Sequence, residues 1–338
     1  MSDVPVEVPQ DAKVITVTLN PSLDRTLTTH FLSLGYHNTT TGTTRLDPAG
    51  RGVNVSRALH RLGVPTHAVM LLGNDATGRA YEALLGEEDF PMTILRRSGR
   101  TRSNIVIVDA GHNNETVILE EGEGVTRADR QATSNMLLKL IRPGDSVVFA
   151  GSLPAGVRTD VYAQLTSLSQ TVGGAVAINA GGGEALAQSI QAKPALIYVT
   201  QTQLEGLFNV PVRADEDVIY CARMLRRQGV KRVLVAMEQR ESAFLVTEDG
   251  VWRADWPEAT GSRSGRAEAL IAGYLAGRLK NRPFGHALKL GAVMAVYTGT
   301  QLGHEFGTFE NMEEHVGQVL VTPFDIIDDL VGAQMESF

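Results

Sequence analysis

The sequence predicts an α/β protein: a mostly parallel sheet with helices on both faces, and a small separate β lid. Three observations carry this. From Arg127 onward helical and extended patterns alternate at short intervals, and such alternation demands crossover connections that return each strand parallel to the last. Val14-Ile-Thr-Val-Thr-Leu19 ends at Asn20-Pro21, a buried first strand running into a loop. Residues 26–47 are Thr-rich and broken by Gly35 and Gly42, which suits a flap of short strands rather than a continuation of the core.

Each element follows in turn. Gly52 to Leu62 places Val53, Leu59 and Leu62 on one helical face and stops at Gly63. A strand is expected at 66–72, a helix at 76–86 and a β-hairpin at 103–109 with 115–119, which joins the lid. Helices then read at 127–140, 160–170, 184–190 and 215–228, with strands at 146–150, 175–179, 195–199 and 232–236 between and after them. A hairpin at 243–253 precedes two helices, 266–279 and 284–301. The chain divides into a loose tail, 1–12, one domain, 13–320, and an acidic segment, 321–338, bearing Asp325, Asp328, Asp329 and Glu336. Ligands of open parallel sheets bind beyond the carboxyl ends of the strands. The loops after Leu19, Ala150, Val199 and Ala236, and the turn before Glu268, are therefore expected to meet in one crevice.

Bulk composition narrows the function. An apolar fraction of 43% and a charged fraction of 20% are those of an ordinary globular protein. A net charge of −7 offers no basic field to a nucleic-acid backbone, so small molecules or proteins are the expected partners. The tail's Asp3, Glu7 and Asp11, without a basic start or apolar core, do not make a secretory signal. No apolar run reaches a membrane span; Leu288 to Leu302 is interrupted by Lys289, Gly291 and Gly299. Cys221 is alone, which excludes an internal disulfide and suits a reducing, cytoplasmic setting. The eight histidines form no His-Glu-x-x-His pair or Cys/His cluster, so no protein metal site is expected.

Four ordered motifs carry the chemistry: Thr16-Val-Thr-Leu-Asn-Pro-Ser-Leu-Asp24, Ala49-Gly-Arg-Gly-Val-Asn-Val-Ser-Arg57, Thr101-Arg-Ser-Asn104 and Gly151-Ser-Leu-Pro-Ala-Gly-Val157. Asp24, just past a strand end, can accept from two hydroxyls or form a turn after Pro21. Gly50 and Gly52 let a backbone approach an anion closely, and Arg51 adds a fork of donors. Asn54 in the first turn of the following helix is a site residue or a capping residue. Together these segments resemble the PfkB family of sugar kinases, which includes ribokinase, and within it the branch of sugar-phosphate kinases, over about residues 13–303. The resemblance implies a ribokinase-like three-layer sandwich with a β lid that often mediates dimerisation. It also implies ATP and Mg²⁺ as cosubstrates and a hexose phosphate as acceptor. By the same resemblance, Asp24 and Asn54 hold the sugar, the Gly50-Arg51-Gly52 turn belongs to the substrate site, and Arg102 and Ser152 hold the substrate's phosphate, with Asn104 adjacent.

The nucleotide side departs from the family pattern. Where the family carries an Asn and a Glu that order magnesium, this chain has Thr200 and Gln203, neither of them anionic. Residues 233–246 contain no glycine where a nucleotide loop is expected, and Glu238 and Glu241 bring negative charge that is unfavourable near a polyphosphate unless Arg240 offsets it. Gly265-Arg266-Ala267-Glu268 stands where the family has Gly-Ala-Gly-Asp. Helix amides there can still meet an anion, with Arg266 supplementing or filling the place. Ala267 in a left-handed backbone would cost roughly 1–2 kcal/mol. Glu268 keeps the catalytic carboxylate but reaches one bond further, and a shift of ~1 Å can cost about a hundredfold in rate. Two readings follow: an ATP-dependent sugar-phosphate kinase of weakened activity, or a non-catalytic sugar-phosphate-binding protein on the same fold.

Overall fold

In a computed structural model, residues 9, 11–42, 44–112, 114–237, 239–258, 264–301 and 303–324 are described. Most of the expected tail, the acidic residues from 325 on, Glu238 and residues 259–263 lie outside them. The first strand is β1 (Val14–Thr18), followed by β2 (Ser22–Thr29) and β3 (Arg45–Ala49). Then come α1 (Arg51–Arg61), β4 (Thr66–Gly73), α2 (Ala76–Leu85) and β5 (Met92–Arg97). The hairpin is β6 (Arg102–Asp109) and β7 (Asn114–Leu119). The alternating stretch gives α3 (Arg127–Leu140), β8 (Ser146–Gly151), α4 (Val161–Thr171), β9 (Ala175–Ala180), α5 (Gly183–Gln191) and β10 (Leu196–Thr200). It continues as α6 (Gln201–Phe208), α7 (Asp215–Arg227), β11 (Arg232–Met237), β12 (Ser242–Val246) and β13 (Val251–Asp255). Last are α8 (Arg266–Leu279), α9 (Phe284–Gly299), the single turn α10 (Phe309–Met312) and β14 (Leu320–Pro323).

Ten strands form one sheet in the order β14-β13-β12-β11-β10-β9-β8-β1-β4-β5. From β5 to β11 every pairing is parallel; the β12, β13 and β14 edge is antiparallel. Strand side chains alternate between faces, and β1 shows it. Ile15 and Val17 join the core under α3, α4, α5 and α7, whereas Val14 joins the core under α1, α8 and α9. Two helical layers thus enclose the sheet. The lid is a second sheet, β3-β2-β6-β7, so the Thr-rich stretch and the hairpin do belong together. Among the described residues no helix is long and apolar enough to cross a membrane. Cys221 is buried in α7, and burial pushes its thiol up to about 11.

Four elements, the single turn α10 among them, carried too little periodic signal to be foreseen. β5 is a partly covered edge strand ending in Arg96-Arg97, and β14 is four residues at the opposite edge. α6 is eight residues long and starts directly on β10, too short to show a helical stripe. β14 pairs with β13 as far as Pro323, so the sheet runs past the expected domain end at 320.

Helices α8 and α9 meet backbone to backbone. A Cβ on Gly273 would lie 2.6 Å from the Gly291 Cα, and one on Gly277 would lie 2.7 Å from the Ala287 Cα. Alanine ordinarily stabilises a helix interior over glycine by about 1 kcal/mol. Here the opposite sign is expected: Gly273→Ala destabilises by about 1–3 kcal/mol through overpacking, read as a lower midpoint in urea with unchanged slope. A stabilised variant would show that the two helices can part without cost.

Candidate active site

The crevice is built where β1 ends and the lid begins. Because β2 and β6 are parallel, Asp24 lies opposite Asn104. The Asn104 amide donates to Asp24 Oδ1 at 2.8 Å and to Ser22 Oγ at 2.9 Å. From the body, His304 Nε2 comes within 3.3 Å of Asp24 Oδ2. Its Nδ1 is 3.2 Å from the amide nitrogen of Asn54, which α1 places, buried, in its first turn. Asn104 thus reaches the Asp24 carboxylate directly and Asn54 reaches it through His304, joining residues picked from separate motifs.

Beside them lies a cationic corner. Arg102 donates through Nε and Nη2 to the Asn20 carbonyl, at 3.2 and 3.0 Å, and the Asn20 amide donates to Ser152 Oγ at 3.2 Å. Burial lowers the Arg102 pKa most; Asp24 opposes that shift and Arg51 adds to it. Arg51, first residue of α1, donates to Asn179 Oδ1 at 3.3 Å and brings Nε within 3.7 Å of Glu268 Oε1. Asn20 Oδ1 and Asn179 Nδ2 are buried without a protein partner. Asn20, Asn179 and His304 were not foreseen as site residues; for the two asparagines the available signal was their place at strand carboxyl ends.

Gly50 and Gly52 are also required by packing against β1. A Cβ on Gly50 would stand 2.6 Å from Thr18 Cγ2, and one on Gly52 2.5 Å from Thr18 Oγ1 and 2.9 Å from the Val17 carbonyl. The loop sits directly on β1, and Gly50 adopts φ +147°, a conformation disfavoured for other residues.

At the Gly265–Glu268 turn, position 267 does not take the left-handed backbone that would strain an alanine. Gly265, retained, is the left-handed residue (φ +80°) and caps α8; Ala267 lies within the helix and has no positive φ. Glu268 falls at the third helical position and is 5% exposed. Arg266 is paired not with an open anion hole but with Glu241, in a two-pronged contact whose Nη1–Oε1 arm is 3.1 Å. Glu241 also accepts from the Trp256 indole at 2.8 Å. Arg240 pairs with Asp215 at 3.0 Å.

Thr200 and Gln203 form a capping box at the start of α6. Thr200 Oγ accepts from the Gln203 amide N–H at 3.2 Å, and Gln203 Oε1 accepts from the Thr200 N–H at 3.0 Å. Gln203 Nε2 donates to the Ala180 carbonyl at 3.1 Å, so its side-chain amide is engaged at both ends. Among the described residues no three His, Cys, Asp or Glu side chains are grouped to hold a metal ion. The lid is fastened to the body by Glu115 to Ser264, at 3.1 Å, and by Arg45 to Glu305, at 2.5 Å.

A sequence model described as pfkB family carbohydrate kinase matches residues 18–307. The 1-phosphofructokinase of Bacillus subtilis is 30% identical over 310 residues, spanning 91% of this chain and 99% of its own. That of Xanthomonas campestris pv. campestris is 32% identical over 271 residues, 79% of this chain and 84% of its own. Among solved structures, phosphofructokinase-2 from Escherichia coli in complex with substrates and products superposes with a TM-score of 0.84. It is 23% identical and covers 90% of this chain and 99% of that one, a likeness of fold.

Proposed function

Because this chain belongs to the pfkB family of carbohydrate kinases, we propose that it transfers the terminal phosphoryl group of ATP to a free hydroxyl of a ketohexose phosphate, with fructose 1-phosphate the favoured acceptor. The observation that carries this reading is Arg51. It links the substrate loop to the buried Glu268 carboxylate at 3.7 Å while neighbouring Arg102, so a catalytic carboxylate and a phosphate-sized cationic corner share one crevice. The orphaned donor of Asn179 suits a phosphate or hydroxyl oxygen there.

Asp24, Asn54 and Asn104 hold the sugar hydroxyls; Arg102, Ser152 and Arg51 hold the acceptor's phosphate. The acceptor oxygen attacks the γ-phosphorus as its proton passes to Glu268. The new P–O bond forms as the bond to the β,γ-bridging oxygen breaks, and ADP leaves with that electron pair. The α8 amides after Gly265 face the transferring phosphate. Thr200 and Gln203, expected on the nucleotide side, act through the α6 turn they cap. Among the described residues no three His, Cys, Asp or Glu side chains are grouped as a magnesium site, and no step here depends on one.

The non-catalytic alternative is not favoured, since relatives matched over 91% and 79% of the chain are named 1-phosphofructokinase. The test is ADP release with ATP, Mg²⁺ and fructose 1-phosphate, fructose 6-phosphate or tagatose 6-phosphate, beside calorimetric titration of each. Sugar-phosphate binding without turnover would restore the alternative. On the nucleotide side, Glu241→Gln is expected to lower the KM for ATP several-fold, by weakening the hold on Arg266 and removing an anion from the polyphosphate's approach. An unchanged or higher KM would show that Arg266 does not reach the nucleotide.

The lid supplies a dimer surface. Its register sets Leu46, Arg25, Ile105 and Ile118 in one row, with the three apolar members 46%, 37% and 53% exposed. Apolar rows of this kind mark interfaces. A homodimer through this face is expected in sedimentation, with Ile105→Glu converting it to monomer; a monomeric parent protein would end the idea.

A further inference from the structure

His304 belongs to none of the four motifs, yet it stands at the centre of the acceptor crevice. It lies between α9 and α10 and turns its ring inward, with 13% of the side chain exposed. The hydrogen bonds around it fix its protonation pattern from the outside in. Arg57, held by Glu88 through Nε at 2.6 Å and by the Pro48 carbonyl at 3.0 Å, donates from Nη1 to Asn54 Oδ1 at 2.8 Å. The Asn54 oxygen must therefore face Arg57, which turns the amide nitrogen to His304 Nδ1. An amide nitrogen only donates, so Nδ1 accepts and the ring hydrogen sits on Nε2, directed at Asp24 Oδ2.

Asp24 is thus gripped from both sides, by Asn104 on Oδ1 and by His304 on Oδ2. Each oxygen keeps lone-pair capacity for one more donor. We infer that His304 is a positioning residue for acceptor recognition: its Nε2–H holds the Asp24 carboxylate in the orientation that receives the sugar hydroxyls. This rests on the reading that Asp24 binds the acceptor. A carboxylate with one oxygen ungripped would rotate, and the hydroxyl hydrogen bonds would have to pay for its ordering.

Three substitutions separate this role from mere packing of the loop. A glutamine at 304 can place its amide nitrogen where Nε2 stands, whereas an asparagine reaches only as far as Nδ1. His304→Ala and His304→Asn are expected to raise the KM for fructose 1-phosphate about tenfold or more, the scale of a hydrogen bond to a charged group. His304→Gln is expected to stay within about threefold of the parent. The KM for ATP and the thermal midpoint should not move in any of them. In ¹⁵N-resolved spectra of the whole protein, His304 should show the hydrogen on Nε2.

A glutamine variant as impaired as alanine, an alanine variant with unchanged KM, or a hydrogen on Nδ1 would overturn the inference. Asp24→Asn decides which statement has failed. If it impairs acceptor binding while His304→Ala does not, only the role of His304 falls; if it leaves the KM unchanged, the placement of the acceptor at Asp24 falls first.

Discussion

Glu268→Gln is expected to lower kcat by about 10²–10⁴-fold, the usual worth of a positioned general base, with little change in the KM for the acceptor. Glutamine keeps the length and most of the volume of the side chain, so α8 should pack as before around its buried third residue. What it loses is the capacity to take the hydroxyl proton, together with the charge that faces Arg51 at 3.7 Å. Measured as ADP release at saturating ATP and fructose 1-phosphate, a kcat within a few-fold of the parent would mean that another group takes the proton.

Asp24→Asn is expected to act on the other kinetic constant. An amide has one acceptor oxygen, so it cannot receive hydrogen bonds from both Asn104 and His304, which approach opposite ends of the carboxylate at 2.8 and 3.3 Å. One donor then meets an NH₂ group, and the remaining acceptor capacity for sugar hydroxyls is halved. Losses of about 1.5–3 kcal/mol per charged hydrogen bond predict an acceptor KM raised by roughly 10- to 100-fold. The KM for ATP should hold, since none of these contacts touches the nucleotide side. An equal rise in both constants would point to a lid that no longer seats.

Much of this architecture was legible because it depends on patterns the chain repeats. The parallel sheet announced itself through regular alternation, and the lid through its Thr-rich, glycine-broken strands. Asp24, Asn54 and Asn104 were legible through motifs, and the structure links them, Asn104 directly to Asp24 and Asn54 through His304. The rest turned on contacts that no local pattern records. Gly50 and Gly52 look like anion-cradle glycines, and no local pattern shows that β1 also fills the space where their side chains would be. Thr200 and Gln203 read as replacements for metal-ordering residues, but their spacing is equally that of a capping box, and α6 uses it so. His304 joins residues 280 and 250 positions away in the chain, and a lone histidine in a loop carries no signal of such partners.

The glycine contact between α8 and α9 has a consequence for where catalytic defects arise. Gly273 follows Glu268 by five residues, about 8 Å along the helix axis, and its backbone rests against Gly291. The crossing is the fulcrum of a short lever whose free end is the carboxylate proposed as the base. A methyl group inserted there would tilt α8 and swing Glu268 relative to Arg51, and a displacement of ~1 Å can cost about a hundredfold in rate. A mutational scan scored on turnover should therefore count Gly291 as part of the active site, although it has no polar side chain and lies in no sequence motif.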